Sequence, residues 1–312
     1  MEKLERLLRN GVSRRTFLAG AGASAGTAAV ATLAAGCGSS STTTAVTTST
    51  VPASTVTDEN ILNFALNLEY LEASYYLLGV TGAGLPAADT GASPGTVTGG
   101  AQVTFATPAL AAYAKEIAND ELLHVQFLRS ALGAAAVSMP AIDFTDAFNA
   151  AAAAAGIGPT FNPFADEASF LLGAFVFEDV GVTAYHGAAT LITEKAYLAA
   201  AAGIMATEAY HAAEIRTILT YLGDPYLTYA GQISALRGAA SASAASSSTL
   251  ATMAEVAPSG GHIVAADANS IAFDRTTNQV LHIVYLDATA GAVSKGGFFP
   301  NGLNGAITAS TT

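Results

Sequence analysis

Two stretches decide the fold of this chain: NDELLHVQFLR at residues 119–129 and ATEAYHAAEIR at residues 206–216. Each contains a Glu-x-x-His motif, and an arginine follows each histidine by five residues. In an α-helix, side chains three residues apart lie on one face, so each motif places a carboxylate beside an imidazole. The two copies are separated by a constant offset of 87 residues, which indicates an internal duplication of a helix pair. The motif residues are Glu121, His124, Glu208 and His211.

Four long segments with apolar residues at helical spacing predict a four-helix bundle. At 1.5 Å per residue, helices of about 22 to 30 residues measure about 33 to 45 Å. We expect Asn162-Pro163 to begin the third helix, Thr193 to cap the fourth and Gly223-Asp224-Pro225 to end it. The predicted helices cover residues 58–79, 108–133, 162–190 and 193–223.

The segment between the second and third helices, residues 134–162, is long enough to return the chain along the bundle. It contains an Ala-rich helical piece over residues 143–155. One long crossover in an otherwise antiparallel bundle is the ferritin-like connection. We therefore predict an all-α, ferritin-like four-helix bundle over residues 57–223, followed by a partly helical C-terminal extension, residues 224–312, that packs on it.

The N-terminus resembles a twin-arginine export signal, because a basic start and Ser13-Arg14-Arg15-Thr16-Phe17-Leu18 precede an apolar run rich in Ala and Gly. The single cysteine, Cys37, follows Leu33-Ala34-Ala35-Gly36, which resembles a lipoprotein cleavage box. A lone cysteine also excludes an internal disulfide. We expect a signal over residues 1–37, a Ser/Thr-rich tether over residues 38–56, and a periplasmic or cell-envelope location with possible lipid anchoring at Cys37.

Composition indicates a folded, acidic body, since 51% of residues are hydrophobic and the net charge is -12. Five of the twelve basic residues precede position 37, so the remaining chain is more acidic still. Such a surface repels phosphate backbones and excludes nucleic acid as a natural partner. Cations are the ligands that this charge favours.

Glutamates also occur at core positions of the first and third helices. Glu69 precedes Tyr76 by seven residues, and Glu178 precedes Tyr185 by the same spacing. Neither helix contains Lys or Arg, although a buried carboxylate needs a partner, so a metal ion is the predicted cation. Glu72, one turn from Glu69, is the alternative ligand on the first helix.

One Glu from each of two helices and a Glu-x-x-His from each of the others resemble the ligand set of dinuclear carboxylate bundle proteins. The resemblance implies two divalent ions, iron or alternatively manganese, with two bridging glutamates on the motif helices, two terminal glutamates and one histidine per ion. The implied ligands are Glu69, Glu121, His124, Glu178, Glu208 and His211.

The chain further resembles an exported ferritin-like domain family that includes bacterial stress proteins and plant desiccation-related proteins. The similar stretches are the two motif helices, ILNFALNLEYLEASYY at 61–76, ADANSIAFDRTTNQVLHIVYL at 266–286 and GGFFPNGLNG at 296–305. The resemblance implies oxidation of ferrous iron or removal of peroxide, with dioxygen or peroxide as reactant. A manganese-catalase-like enzyme and a non-catalytic envelope stress protein are the alternatives. The long first loop and the extension disfavour a 24-subunit cage, and the oligomeric state stays open.

Other polar residues receive supporting roles or none. Asp120 resembles an acid that orients His211 from outside the metal, whereas its duplicate position is Thr207, so we expect unequal metal sites. Tyr76 and Tyr185 are either core aromatics or hydrogen-bond donors to the carboxylates. Glu214 is interpreted as a surface or supporting acid, and residues 270–286 as another helix in which Asp274 and Arg275 are surface charges. No function is assigned to His186, His262 and His282.

Overall fold

A computed structural model describes residues 56–244, 256–289 and 291–311. The predicted export signal, Cys37 and nearly all of the Ser/Thr-rich tether lie outside these residues. The predicted all-α four-helix bundle with one long crossover is confirmed. Its helices, with the two strands of a short parallel pair, are α1 Asp58–Thr81, β1 Val97–Thr98, α2 Pro108–Leu132, β2 Ile142–Asp143, α3 Thr145–Ala155, α4 Glu167–Ala174, α5 Glu178–Ala189, α6 Lys195–Leu222, α7 Tyr226–Ser243 and α8 Thr277–Val284.

Helix α1 is the central helix of the bundle. It begins with a capping box, in which the Thr57 hydroxyl accepts from the Asn60 amide and the Asn60 side chain accepts from the Thr57 amide. It ends at Gly82, whose φ of 74° is the left-handed conformation that glycine adopts without strain. Every residue from 61 to 76 is buried, so α1 has neighbours on all sides.

Helices α2 and α6 carry the motifs and are amphipathic. Their buried residues recur at three- and four-residue spacing, and each buried stripe includes the Glu and His of its motif. Helix α2 packs on α1, and α6 packs on α5. The crossover connects the α1–α2 pair to the α5–α6 pair and contains β2 and α3. Strand β2 pairs with β1 of the long first loop, where Ile142 lies opposite Val97.

The predicted third helix is wrong at its start and in its continuity. Asn162-Pro163 lie in a turn, and the cap is Asp166, whose carboxylate accepts from the Ser169 amide at 2.8 Å. A turn at residues 175–177 then separates α4 from α5. The carbonyls of Phe175 and Val176 accept from Arg237 Nη1 of α7, instead of from the amides one turn ahead. A side chain from the C-terminal extension therefore takes over backbone groups that a continuous helix would use.

The start of the fourth helix also differs by one residue. Glu194 is the cap, and its side chain accepts from the Ala196 amide. The amide and hydroxyl of Thr193 instead donate to the Asp58 carboxylate, which joins the start of α6 to the start of α1. The helix ends at Gly223, as the sequence predicts.

The third bundle position, formed by α4 and α5, is strongly apolar. Among the described residues, the stretch Glu167–Ala189 is long and apolar enough to cross a membrane, but 83% of its most apolar window is buried inside the protein. The stretch is therefore a buried core element of the helical bundle.

Residues after the bundle pack on it. Asn67 of α1 donates to the Asn304 carbonyl at 2.8 Å and accepts from the Asn304 amide at 3.0 Å. The Tyr75 ring of α1 stacks on Phe170 at 4.8 Å and contacts rings of α3, while Phe298 of the extension packs on Phe148 at 5.1 Å. One aromatic cluster therefore joins the bundle, the crossover and the extension.

The prediction for the last helix is wrong at its start. Residues 270–276 are not helical, and α8 begins after Thr276, which forms a capping box with Gln279. Arg275 is not a surface charge. It is buried, and its guanidinium donates to Ser241 Oγ at 3.0 Å and to Thr183 Oγ1 at 2.7 Å. Its neighbour Asp274 is half-buried.

Candidate metal centre

Two groups of side chains from four helices meet inside the bundle and can hold a metal ion. In each group the possible ligand atoms lie within 4.8 Å of one another. Glu121 belongs to both groups, so its carboxylate lies between them. The first group is Glu69, Glu121, His124 and Glu208, and the second is Glu121, Glu178 and His211.

The first group surrounds the Nδ1 atom of His124. This atom lies 3.2 Å from Glu69 Oε2, 3.4 Å from Glu121 Oε2 and 3.5 Å from Glu208 Oε1. Helices α1, α2 and α6 each contribute one of these carboxylates. One imidazole nitrogen and three carboxylate oxygens form a compact nitrogen–oxygen donor set.

The second group surrounds the Nδ1 atom of His211. Glu121 Oε1 lies 3.1 Å from this atom, and Glu178 Oε2 lies 3.4 Å from it. The opposite nitrogen of the ring, Nε2, lies 3.3 Å from Asp120 Oδ2 on α2. Glu208 belongs to the first group alone, and Glu121 is the residue that the two groups share.

Hydrogen bonding accounts for only part of the close approach of these groups, namely the 3.4 Å contact of His124 Nδ1 with Glu121 Oε2. Other atoms of the cluster approach each other without a hydrogen bond, and a buried polar atom without a partner is costly. A shared cation accounts for both the proximity and the missing partners, since ligands of one ion point their lone pairs at a common centre. The unpartnered buried atoms of the cluster are Glu69 Oε2, Glu121 Oε1, Glu178 Oε2, both carboxylate oxygens of Glu208 and His211 Nδ1.

The two tyrosines bind the carboxylates in a crossed arrangement. The Tyr185 hydroxyl of α5 donates to Glu69 Oε1 of α1 at 2.5 Å, and the Tyr76 hydroxyl of α1 donates to Glu178 Oε1 of α5. In both glutamates the second oxygen faces a histidine. Each tyrosine therefore fixes one oxygen of a carboxylate and leaves the other for a metal.

The sequence model of the ferritin-like domain matches residues 57–221. The chain belongs to the ferritin-like domain family. It is 27% identical over 264 residues to the protein named "Ferritin-like catalase Nec2" from Nesocodon mauritianus, covering 80% of this chain and 84% of that protein. It is 28% identical over 241 residues to "Desiccation-related protein PCC13-62" from Craterostigma plantagineum, covering 72% and 76% of the two chains. No solved structure matches the chain.

The ferritin-like centre has strongly shifted pKa values. Burial raises the pKa of Glu69 from 4.5 to about 7, against the opposing effect of His124. Burial acts in the same sense on Glu121, but the close contacts and charges of His124 and His211 outweigh it and lower the pKa of Glu121 to about 2. Burial alone would lower the pKa of His211, but Glu178 and Glu121 raise it to about 12. Without metal, these pKa shifts therefore favour a protonated His211 beside an ionised Glu121.

Other acids of the ferritin-like bundle lie outside both groups. Glu72 is buried, and burial followed by the nearby Glu208 raises its pKa well above the usual value. It lies in neither ligand group, whereas Glu69 of the same helix lies in the first. Glu214 is half-buried and is also in neither group. Thr207 donates to the Gly203 carbonyl of its own helix rather than to His124.

The histidines without an assigned role lie outside both groups as well. His186 is hydrogen-bonded to the Phe273 carbonyl. His282 is buried between the Asp287 carbonyl, at 2.8 Å from Nδ1, and Ser310 Oγ, at 3.2 Å from Nε2. These contacts join α5 and α8 to segments of the extension.

Two residues that support the ferritin-like centre, Asp179 and Gly181, were not identified from the sequence. The Asp179 carboxylate accepts from Arg216 at 2.8 and 2.7 Å and from Arg237 at 2.8 Å, which anchors the residue next to Glu178. Gly181 allows close approach to α6, because a Cβ atom there would lie 2.3 Å from Glu208 Oε2. The duplicated arginine was the available signal for Asp179, whereas the sequence contained none for Gly181.

Proposed function

We propose that this protein binds two iron or manganese ions in the centre and removes hydrogen peroxide. The observation that carries the proposal is the set of buried, unpartnered carboxylate oxygens around two histidines. Four carboxylates balance the charge of two divalent ions, and mixed carboxylate and imidazole ligands suit iron and manganese. When bound, such a pair supplies two-electron redox chemistry.

The reaction proposed is disproportionation, in which two molecules of peroxide give two of water and one of dioxygen. One peroxide is oxidised by two electrons and the other is reduced by two, so the reaction needs no further reactant. The similarity to a protein named as a ferritin-like catalase supports this choice. The same balance holds for iron and for manganese.

The chain's own residues hold the ions and limit access to them. Glu69, Glu121, His124 and Glu208 would hold one ion, and Glu121, Glu178 and His211 the other. The tyrosine hydroxyls orient Glu69 and Glu178 as described above. The four glutamates are at most 1% exposed, so bulk water is excluded from their side of the site. The histidines, at 8% and 6%, lie nearer the surface and mark the polar approach for peroxide.

Burial also favours peroxide removal over iron oxidation with turnover. A ferrous ion that is a substrate must enter the buried centre and leave it as a ferric ion on each cycle. This requires a route for ions past carboxylates that are at most 1% exposed. Peroxide and its products are small and neutral, so resident ions can remain in place.

The test measures metal content and peroxide consumption on the purified protein. We expect two ions per chain and release of dioxygen at half the molar amount of peroxide consumed. Glu178→Ala should lose at least one ion and the activity, whereas the matched change at an exposed acid of α2, Glu116→Ala, should retain both. If the protein binds two ions but consumes peroxide no faster than the free metal does, the result would favour the non-catalytic alternative. In that alternative, metal binding only stabilises the bundle.

Oxidation of ferrous iron is a second candidate, favoured by the inequality of the two groups. Asp120 contacts the outer nitrogen of His211, whereas Thr207 at the duplicate position bonds its own helix. A histidine held by a carboxylate is a stronger ligand, so the ion at His211 should bind more tightly and the other should exchange. Titration of the metal-free protein with ferrous iron should then give two unequal affinities, and Asp120→Ala should weaken the tighter one by roughly 10- to 100-fold.

Export by the twin-arginine route remains part of the proposal. It is supported by the Ser-Arg-Arg-x-Phe-Leu run at 13–18. Replacing Arg14 and Arg15 by lysine should keep the protein inside the cytoplasm. If Cys37 is lipidated, the wild type should fractionate with membranes and Cys37→Ser should not. Unchanged export of the double-lysine variant would contradict the signal assignment.

A further inference from the structure

An apolar cavity of about 40 Å³ lies between α3, α4, α7 and α8. Ala154 and Ala288 of its lining are exposed, so the cavity opens at the surface. Only two of its lining residues, Arg237 and His282, are charged or polar. Both are engaged elsewhere, the arginine with Asp179 and the histidine with Ser310 and the Asp287 carbonyl. The lining therefore offers little to hold water.

A second cavity of about 10 Å³ adjoins the first on the side of the metal centre. The two share the side chains of Val176 and Ile283, which lie at their junction. The inner cavity is also lined by Glu72 and Gly181. Because Gly181 lacks a side chain, its Cα lies directly against Glu208 Oε2. The pair of cavities thus leads from the surface to Gly181, the glycine that packs against the ligand Glu208.

Size and polarity restrict what this line of cavities can carry. A cavity needs about 10 to 15 Å³ to hold one water-sized molecule, so the outer cavity accepts a few and the inner cavity one. Apolar cavities of this kind stay dry and bind apolar atoms such as xenon. In the outer cavity, metal ions and peroxide would lose hydration without gaining partners, whereas dioxygen is small and apolar.

We propose that these two cavities form the dioxygen path of the centre, with Val176 and Ile283 as its narrow point. The proposal rests on the proposed function, in which dioxygen is the product. Peroxide uses the histidine side, where the side chains of His124 and Asp120 are 11% and 29% exposed. Reactant and product therefore have separate routes, and the same path would admit dioxygen to a reduced centre.

The first test needs no activity, because it locates xenon in crystals of the protein as purified. Xenon should occupy both cavities of the wild type. In Ile283→Phe, where the larger ring fills the junction, xenon should remain in the outer cavity and be lost from the inner one. An inner cavity without xenon in the wild type, or with xenon in Ile283→Phe, would overturn the path.

The second test compares two oxidants on one protein loaded anaerobically with ferrous iron. Ile283→Phe should slow oxidation by dioxygen about tenfold and leave oxidation by peroxide within about twofold, because only the apolar path is narrowed. Val176→Ala should accelerate the reaction with dioxygen, because it widens the narrow point. This variant also tests the path if Ile283→Phe does not fold. Val280→Ala is the matched control, since Val280 is buried on α8 and lines neither cavity.

Equal effects of Ile283→Phe on both oxidants, with no acceleration by Val176→Ala, would show that the junction does not carry dioxygen. If the wild type reacts with neither oxidant, the proposed function fails, and the xenon positions alone decide whether the path exists. The two failures are therefore distinguishable.

Discussion

At the scale of single residues, the centre depends on hydrogen bonds that cross between α1 and α5. Tyr185 donates to Glu69, and Tyr76 donates to Glu178. The sequence could predict the four Glu and two His by spacing, and it offered the tyrosines as candidate donors. It could not predict that each tyrosine would reach the other helix, since that depends on how the helices pack.

Tyr185→Phe tests this arrangement. The variant keeps the ring in the core but removes the donor to Glu69 Oε1, so the carboxylate loses its fixed orientation. We expect metal affinity or activity to fall by about 10- to 100-fold, with little change in fold. Metal titration measures the effect. Tyr113→Phe, at an exposed position of α2, is the control and should behave as wild type.

Gly181→Ala tests the close approach of α5 to Glu208. The added Cβ would lie 2.3 Å from Glu208 Oε2, so the carboxylate must leave its present position. We expect loss of the ion in that group and retention of the ion at His211, measured as metal per chain. Gly203→Ala on α6 is the control, because nothing lies within 4 Å of its Cβ position and alanine favours helices. Full metal content in Gly181→Ala would contradict this role.

The pKa of Glu69 makes the stability of the metal-free protein depend on pH. Folding raises this pKa from 4.5 to about 7, so the folded state binds the proton more tightly. The resulting stability is complete below pH 4.5, declines above it and is lost once the pH passes 7. By pH 8 the metal-free protein has therefore lost roughly 3 kcal/mol of its free energy of unfolding relative to pH 4. Melting of chelator-treated protein should therefore occur at higher temperature at pH 5 than at pH 8.

The Glu69→Gln variant separates this effect from the other titrating groups. Glutamine does not ionise, so the difference in melting temperature between pH 5 and pH 8 should shrink. Glu116→Gln, at an exposed position, should leave that difference unchanged. An undiminished pH dependence in Glu69→Gln would assign it to another group.

At the scale of elements, helix boundaries were predictable where local capping decides them. Helix α1 begins after Thr57 and α2 begins at Pro108, as their sequences indicate. The break between α4 and α5 was not predictable from local sequence, because Arg237, which binds the carbonyls of the turn, lies some 60 residues later in the chain. Local sequence favours one continuous helix there, and a tertiary hydrogen bond overrides it.

Arg237→Met tests the break and the buried charge around it. Arg237 donates to Asp179 and to the carbonyls of the turn, and its guanidinium lies 4.4 Å from the centroid of the Phe175 ring. Removing one member of a buried ion network costs about 3 to 5 kcal/mol. Urea unfolding should show a loss of that order. Lys195→Met, an exposed cation at the start of α6, should change stability by well under 1 kcal/mol.

At the scale of the whole molecule, the family match ends at residue 221 but the packed body does not. Asn304 bonds Asn67 of the central helix, and Arg275 bonds Thr183 of α5. Composition and spacing could predict the bundle and its crossover, since those follow from periodic apolar residues. They predicted an extension that packs on the bundle but not these contacts, because Arg275 and Asn304 lie in segments without helical periodicity.

A chain ending after Gly223 tests this dependence. It would expose the aromatic cluster and leave the Asp179 carboxylate without Arg237. We expect it to aggregate or lose its melting transition, as measured by circular dichroism, while a chain lacking residues 1–55 should melt as the full protein does. A soluble, cooperatively melting truncated bundle would show that the extension is dispensable.

The sharing of ligands between helix pairs has an evolutionary consequence. The first group takes Glu208 from the second pair, and the second group takes Glu121 from the first. Neither pair alone contains a full donor set for one ion. An ancestral gene that encoded a single helix pair would therefore have produced a working site only as a symmetric dimer, and fusion of two copies would have freed each half to diverge. The contrast between Asp120 and Thr207 at duplicate positions is what such a divergence would leave.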